Sequence, residues 1–219
     1  MIRQQVNTFL LSIAAGAAIS LGALLNVLAR SFILNSLIAK IIGSFLFPIG
    51  LTLVCYLGLN LFTGKIGYLL DQTKKYPLFL LNVYLGNLVG SLICGFIAYF
   101  IFKDIPTIYQ VITSISHSKE SITSIEDSLR MFAGSIICGT LVYLAVLSYR
   151  KLNHHVCKIG GIFIAIALFV YFGFDHCIAN MFYFTFSFSF KNWGSYLNIV
   201  IATIGNSLGA IALNFARKN

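Results

Sequence analysis

Apolar residues form six long blocks along the chain, at about 8–29, 36–57, 77–102, 129–149, 159–189 and 195–215. Each block has about 20 residues or more, which is the length that a helix needs to cross the hydrocarbon core of a bilayer. Strands of a membrane barrel would instead give alternating segments of about 10 residues. The pattern therefore predicts an all-α integral membrane protein with six transmembrane helices in a single domain over residues 1–219.

The second and fifth blocks are interrupted. The second block runs into a more polar stretch at residues 57–65, and the fifth is broken at residues 173–176. Paired interruptions at corresponding places in two halves of a transport protein indicate a binding site near the middle of the membrane. We therefore expect both breaks to lie at one site.

The same short pattern, GNxxG, occurs in the third and sixth blocks, at residues 86–90 and 205–209. Small residues four positions apart let two helices approach closely, and a neighbouring Asn can form a hydrogen bond across the contact. The repetition predicts an inverted 3+3 repeat with one half at about 1–103 and the other at about 129–219. The polar segment 104–128 is expected to form an external loop with some helical content.

Composition supports a membrane protein, since 58% of the residues are hydrophobic and only 10% are charged, whereas soluble domains have roughly 25% charge. The net charge of +9 does not indicate nucleic acid, because basic residues of membrane proteins normally mark cytoplasmic loops. No cofactor or metal site is predicted. Four of the five cysteines lie in apolar segments without CxxC spacing, and the cluster at residues 154–157 is typical of a solvated turn.

Lysine and arginine residues predict the orientation in the membrane. Under the six-helix interpretation, nine fall on the side of the two termini and six on the opposite side. The nine are Arg3, Lys65, Lys74, Lys75, Arg150, Lys151, Lys158, Arg217 and Lys218. An excess of positive residues marks the cytoplasmic side, so both termini are expected in the cytoplasm. The membrane is expected to be the cell membrane, either inner or plasma.

Asp175 and His176 lie inside the interrupted fifth block, at membrane depth. Ionisable groups are costly there, so they usually face a bundle interior or a solute pathway. A structural interhelical hydrogen bond would also account for a single His. The matching interruption near Thr63 favours a transport role.

Several motifs resemble those of the formate/nitrite transporter family, in the order in which that family carries them. They are LFTG at 61–64, NVYLGNLVG at 82–90, LVYLAV at 141–146 and GFDHCIANMF at 173–182. The last is similar to the family's GFEHSIANMF stretch. The resemblance implies a homopentamer of aquaporin-like protomers, each with a pore for formate, nitrite or a related small monovalent anion.

The resemblance also implies roles for individual residues. His176 would be the central polar group of the pore, with Asp175 beside it, Thr63 in the opposite loop and Asn206 as a pore-side amide. Two hydrophobic constrictions would flank this centre. Phe47 and Leu51 are expected at the cytoplasmic one, Phe62 and Phe169 at the periplasmic one, and Lys119 would attract anions from outside.

The chain also departs from the family's pattern. Asp175 replaces a Glu, Gly139 stands at a usual Asn, Asn60 replaces an acidic residue and Lys65 replaces an Asn. These changes leave the preferred anion open, so a channel for hydrosulfide, lactate or another weak acid is an alternative.

Elementary solvation predicts how an anion would pass such a pore. An unpaired carboxylate in an apolar constriction loses its hydration, which raises its pKa and favours passage as the neutral acid. His176 would then act as a proton donor or as a hydrogen-bond partner. A neutral-solute pore of the aquaporin or ammonium type lacks support, because there are no Asn-Pro-Ala loops and only one His lies within a predicted span. A membrane enzyme is also disfavoured, since no nucleophile, metal set or phosphate loop is present in the sequence.

Overall fold

A computed structural model describes residues 2–218, with side chains from residue 5 onward, and its ordered elements are helices. They are α1 (Ile2–Phe32), α2 (Ser36–Leu46), α3 (Pro48–Tyr56), α4 (Phe62–Lys65), α5 (Tyr76–Phe102), α6 (Pro106–Glu120), α7 (Ile125–Lys151), α8 (His155–Phe172), α9 (Cys177–Phe186) and α10 (Trp193–Ala216). Short 3₁₀ turns follow α4 and α9. The side chain of Arg3, which contributes to the predicted orientation, lies outside the described residues.

Six segments of residues 2–218 are long and apolar enough to cross a membrane. They are Gln5–Phe32, Ser36–Tyr56, Tyr76–Phe102, Ile125–Lys151, His155–Phe172 and Trp193–Ala216. The second consists of α2 and α3, which join at Pro48. The predicted all-α, six-helix membrane architecture is confirmed.

Both predicted interruptions are present. After α3 the chain turns at Gly58, whose φ of +65° favours glycine, and continues without helix to α4. After α8 it turns at Gly173, with a φ of +76°, and re-enters a helix at Cys177. Each broken span is therefore followed by a short second helix that begins inside the bundle.

The amide of Asn87, in α5, holds the first break in place. Its Oδ1 accepts the Phe62 N–H at 2.8 Å, and its Nδ2 donates to the carbonyls of Ser12 and Asn60, both at 2.8 Å. The Asn87 side chain is fully buried. It satisfies the backbone groups that the interrupted helix leaves open, which is a requirement for broken backbone at membrane depth.

Asn206, in α10, makes the same set of bonds to the second break. Its Oδ1 accepts the Cys177 N–H at 3.0 Å, and its Nδ2 donates to the carbonyls of Ser135 and Asp175, both at 2.8 Å. The two GNxxG motifs thus do more than let helices approach. In each half, the Asn fixes the loop that precedes a short helix.

Close backbone contact accompanies each Asn. A Cβ on Gly16 of α1 would overlap the Asn87 carbonyl, and a Cβ on Gly139 of α7 would overlap the Asn206 carbonyl. Only glycine fits these contacts without moving a helix. Gly139, which stands where the family usually has an Asn, therefore has a packing role.

Much of the segment predicted as an external loop is the helix α6. Its apolar side chains Ile108, Ile112 and Ile115 are buried and lie on one face of this helix, in agreement with helical periodicity. Ser and Thr residues dilute that pattern in the sequence. The predicted helical content is present, and it packs against the bundle.

Candidate functional site

His176 and Thr63 bring the two broken spans into direct contact. His176 Nε2 lies 2.9 Å from Thr63 Oγ1, and both side chains are buried. His176 precedes α9 as its N-cap, while Thr63 lies in the short helix α4. The structure thus brings together the two residues that the sequence places at one site.

The hydrogen bonds of His176 define its tautomer. Nδ1 lies 3.2 Å from the Ala179 N–H, which can only donate, so Nδ1 is the acceptor. The neutral ring that fits this arrangement carries its proton on Nε2 and donates it to Thr63 Oγ1. The imidazole therefore presents one N–H to the site, and its other nitrogen caps a helix.

Asp175 lies in a network of donors. Its Oδ1 accepts from Lys119 Nζ at 2.9 Å, Asn180 Nδ2 at 2.8 Å and Asn198 Nδ2 at 3.1 Å. Lys119 and Asp175 also form an ion pair whose side chains are each 11% exposed. The two charges largely cancel at short range, which weakens Lys119 as an isolated attractor of anions.

Asn206 has a different place from the one predicted. It was expected as a pore-side amide, yet its donor and acceptor groups bind the backbone of Cys177, Ser135 and Asp175. The side chain is fully buried. This amide positions the His176 loop, and both of its N–H groups are used by backbone carbonyls.

The α9 N-terminus is likewise occupied in part. Helix N-termini in general present free N–H groups that can bind an anion. The Cys177 N–H donates to Asn206, and the Ala179 N–H donates to His176. The helix end therefore serves mainly to hold the imidazole.

The predicted constriction residues group differently in space. Phe47 was paired with Leu51, and Phe62 with Phe169. The rings of Phe47 and Phe169 instead touch edge to face, with centroids 5.7 Å apart, and Phe169 stacks on His176 at 5.8 Å. Phe47 and Phe169 thus lie together beside His176. The physical reason is that α2, α3 and α8 pack against one another, which periodicity within each helix does not reveal.

Phe62 and Leu51 occupy other places. The Phe62 ring lies against Tyr84 at 5.0 Å and lines an apolar groove with Leu80 and Leu81. Leu51 is buried in the hydrophobic core. Phe62 was predicted to share a constriction with Phe169, but its ring contacts Tyr84.

A small cavity of about 50 Å³ lies beside this aromatic pair. Its lining includes Arg30, Phe47, Lys119, Phe169 and His176. A water molecule occupies about 30 Å³ in the liquid, so the cavity fits one or two waters or a solute of similar size. We call it the His176 cavity.

A second cavity, of about 170 Å³, lies on the other side of the Thr63 loop. Its lining residues are Val54, Cys55, Gly58, Leu59, Leu61, Gly64, Lys65, Val146, Tyr149 and Arg150. Gly64 follows Thr63 directly, so the buried Thr63–His176 contact lies between the two cavities. We call it the Lys65 cavity.

Sequence reasoning gave no site role to three residues that line the two cavities: Arg30, Leu61 and Asn180. Two of them carry a sequence signal, since Arg30 is a charge at the end of the first block and Asn180 is a carboxamide inside the fifth. Asn180 lines the His176 cavity, and its buried Oδ1 has no hydrogen-bond partner within the part of the chain that the structure describes. Leu61 lines the Lys65 cavity next to the Thr63 loop.

Comparisons with known proteins agree with this architecture. The chain is 31% identical to an uncharacterized transporter, YrhG, of Bacillus subtilis, over 93% of this chain and 80% of that protein. It is 29% identical to the nitrite transporter NirC of Escherichia coli, over 91% of this chain and 78% of that protein. Both similarities extend over more than nine-tenths of this chain.

Solved structures share the fold. A channel described as an ion channel of the FNT family superposes with a TM-score of 0.85 at 23% identity, over 97% of this chain and 89% of that one. A pentameric formate channel with formate bound superposes with a TM-score of 0.77 at 26% identity, over 99% and 95%. The model of the family described as formate/nitrite transporter matches residues 1–216, and the chain therefore belongs to the formate/nitrite transporter family.

Proposed function

We propose that this protein is a membrane channel that passes formate, nitrite or a related small monovalent anion as the neutral weak acid. The observation that carries the proposal is the buried contact between His176 and Thr63, which separates the His176 cavity from the Lys65 cavity. Two broken spans that meet inside a helical bundle, with a cavity next to each, provide a path for a solute. The single domain would comprise residues 1–219.

The aromatic pair favours passage of an uncharged species. Phe47 and Phe169 offer no polar atom to replace the hydration of an anion, so a charged solute would bear a large desolvation cost there. Desolvation raises the pKa of a weak acid. The permeant therefore takes up a proton from water as it enters and passes Phe47 and Phe169 as the neutral acid.

His176 then acts as a hydrogen-bond donor. Its Nε2–H donates to Thr63 Oγ1 in the absence of a solute, and a permeant oxygen between the two residues would take over that bond. Its Nδ1 remains bound to the Ala179 N–H. His176 need not gain or lose a proton in this scheme, because the permeant carries its own.

The Asn180 carbonyl completes the site. Asn180 lines the His176 cavity, and its buried Oδ1 has no donor among the residues that the structure describes. A protonated weak acid has one O–H to donate, whereas its anion has none. Asn180 Oδ1 would therefore favour the neutral form of the permeant.

Arg30 supplies positive charge at the His176 cavity. It lines the His176 cavity and a neighbouring polar pocket with Ser31, Ser36 and Gln110, and it forms no ion pair within the described residues. Lys119, predicted for this purpose, is paired with Asp175. We assign long-range attraction mainly to Arg30 and the ordering of the loop to Lys119.

Orientation and assembly follow from the same proposal. The C-terminal Lys218 pairs with Asp71, which precedes α5, and Gln5 near the N-terminus accepts a bond from Asn82 of α5. Both termini thus lie at one face, and the excess of basic residues supports a cytoplasmic location in a cell membrane. The apolar groove at Phe62 and Tyr84 supports contact with lipid or with neighbouring protomers of a homopentamer.

A flux panel in proteoliposomes tests the function. Formate, nitrite, hydrosulfide, lactate and ammonium are compared between pH 5 and 8, for the wild type, His176→Ala and the exposed control His154→Ala. We expect weak-acid flux that rises as pH falls, a loss of about tenfold or more in His176→Ala, and no change in the control. Strong flux of hydrosulfide or lactate alone would favour the alternative substrates. Flux of ammonium without any weak acid would refute the proposal.

A further inference from the structure

The Lys65 cavity contains two cations and no acid. Lys65 and Arg150 both line it, whereas none of the six acidic residues of the chain is part of its lining. Lys65 Nζ has no hydrogen bond or ion pair within the described residues. Arg150 donates from Nη1 to the Tyr68 hydroxyl at 3.0 Å, which leaves its other N–H groups available.

Asp71, a carboxylate on the same side of the protein, is already paired. Asp71 pairs with Lys218 and accepts a bond from Asn214. Farther along the rim, the Lys158 ammonium lies 5.4 Å from the centroid of the Tyr149 ring, and Tyr149 lines the cavity. Positive charge therefore dominates the surroundings of the cavity.

Burial makes this charge costly. It lowers the pKa of Lys65, and the nearby Arg150 guanidinium lowers it further. Lys65 is half-buried and Arg150 lies at the exposed rim, so the two cations repel each other, and an anion between them relieves the repulsion and the loss of hydration at Lys65. Binding of an anion in this cavity is therefore electrostatically favourable.

The dimensions fit a small hydrated anion. About 170 Å³ exceeds the volume of formate or nitrite alone, and a water occupies about 30 Å³, so one such anion fits together with a few waters. The guanidinium of Arg150 can bind two oxygens of a carboxylate or nitrite side by side. Leu61 and Gly64 line the same cavity directly next to Thr63.

We infer that Lys65 and Arg150 form a binding site for a small monovalent oxyanion, at the mouth of the pore opposite to Arg30. The inference rests on the proposed function for the path between the cavities. The site holds the ion in charged, hydrated form before it loses water and takes up a proton near Thr63. Lys65 thus raises the occupancy of this mouth at low anion concentration.

Binding is tested without transport. The lysines of the purified protein are reductively methylated with ¹³C, and the Lys65 resonance is identified by its loss in Lys65→Gln. We expect formate and nitrite to shift this resonance saturably, and sodium gluconate at equal ionic strength to leave it unchanged. Arg150→Gln should weaken the apparent affinity about tenfold, as expected for one charged hydrogen-bonding partner.

Two control variants separate the site from general effects. Lys151→Gln removes the neighbouring exposed charge of the same helix and should leave the affinity unchanged, while Arg150→Lys should recover part of it. An equal shift with gluconate, or an equal loss in Lys151→Gln, would overturn the inference. If Arg150→Gln does not fold, Arg150→Lys and the wild-type titration against gluconate still decide the question.

Transport then shows which mouth is involved. Uptake is compared in everted and right-side-out membrane vesicles, which expose opposite faces. We expect Lys65→Gln to raise the half-saturating concentration several-fold in everted vesicles only. A Lys65 shift without weak-acid flux in the wild type would refute the proposed function and leave the site standing. Flux without a Lys65 shift would refute the site alone.

Discussion

His176 Nε2 lies 2.9 Å from Thr63 Oγ1, although the two residues are 113 positions apart in the chain. His176 ends one loop and Thr63 lies just after another, and an Asn of a GNxxG motif holds each loop in place. The central contact of the proposed pore is therefore set by two side-chain amides outside it. A substitution in the His176–Thr63 contact and a substitution of a supporting Asn should therefore differ in their effects on flux and on stability.

Replacement of Thr63 by Val tests the contact itself. Val keeps the shape and leaves the buried His176 Nε2–H without an acceptor, which costs about 1–3 kcal/mol. We expect a lower melting temperature in detergent and a loss of formate or nitrite flux of about tenfold. Thr63→Ser keeps the hydroxyl and should retain most of both. Equal flux in the Val and Ser variants would contradict the proposed exchange of hydrogen bonds.

Replacement of Asn206 by Leu tests the support. Three buried hydrogen bonds are lost, and the Cys177 N–H and the Asp175 carbonyl lose the partner that Asn206 gives them, at a combined cost of about 2 kcal/mol or more. We expect a large fall in the melting temperature and in the yield of folded protein. Asn82→Leu removes one exposed bond and serves as the matched control. A loss in Asn206→Leu no greater than in Asn82→Leu would show that the loop does not depend on the amide.

Much of this arrangement could be predicted from the sequence, and the reasons are physical. A helix that crosses lipid must be apolar along its whole length, so the six spans and both breaks are visible in hydropathy alone. The residues His176 and Thr63 stand out because polar groups are rare there. Asn206 also stood out, but its role did not, since an Asn that binds a solute and an Asn that binds backbone have the same local sequence.

The aromatic pair shows where prediction from sequence ends. The chain has 20 Phe residues, and nothing local marks Phe47 as the partner of Phe169. That contact depends on how α3 and α8 cross, which single-helix periodicity leaves undetermined. Likewise, the pairing of Lys119 with Asp175, and hence the isolation of Arg30, depends on the position of α6.

Gly139→Ala tests the close contact between α7 and α10. The added Cβ would overlap the Asn206 backbone, so one helix must move and the Asn206 amide must shift with it. We expect a loss of about 1–3 kcal/mol, as for other overpacked sites, measured by the melting temperature in detergent. Gly160→Ala is the control, because a Cβ there meets no atom within 4 Å. Tolerance of both substitutions would argue against the close approach.

Arg30→Gln tests electrostatic attraction at the His176 mouth. Removal of this charge should lower the initial rate of uptake several-fold at low ionic strength. The difference should shrink at high salt, since the screening length falls from about 10 Å at 0.1 M to about 3 Å at 1 M. Arg130→Gln removes a cation that pairs with Glu126 on the surface and should leave the rate unchanged. A salt-independent defect in Arg30→Gln would indicate a structural cause.

The pH dependence of stability tests the attachment of the C-terminal end to the loop before α5. Hydrogen bonds from Lys218 and Asn214 lower the pKa of Asp71 below its usual 3.8. The folded state therefore favours the carboxylate, and the stabilisation is fully present above about pH 4 and is lost as pH falls through the lowered pKa. Asn214 also accepts a bond from the Tyr143 hydroxyl at 2.6 Å, so loss of the Asp71 charge weakens a chain of contacts that reaches α7.

Asp71→Asn should accordingly melt at a lower temperature than the wild type at pH 7, and this difference should diminish as the pH falls from about 4 to 2.5. The exposed variant Asp104→Asn provides the reference, because its carboxylate has no hydrogen bond or ion pair within residues 5–218, and it should melt like the wild type across the range. Comparison of the two variants separates Asp71 from the other carboxylates that titrate in the same range. A difference in melting temperature between Asp71→Asn and the wild type that is the same at every pH would contradict this prediction. It would show that the Asn side chain destabilises the protein by its shape, and that the charge of Asp71 does not hold the C-terminal end.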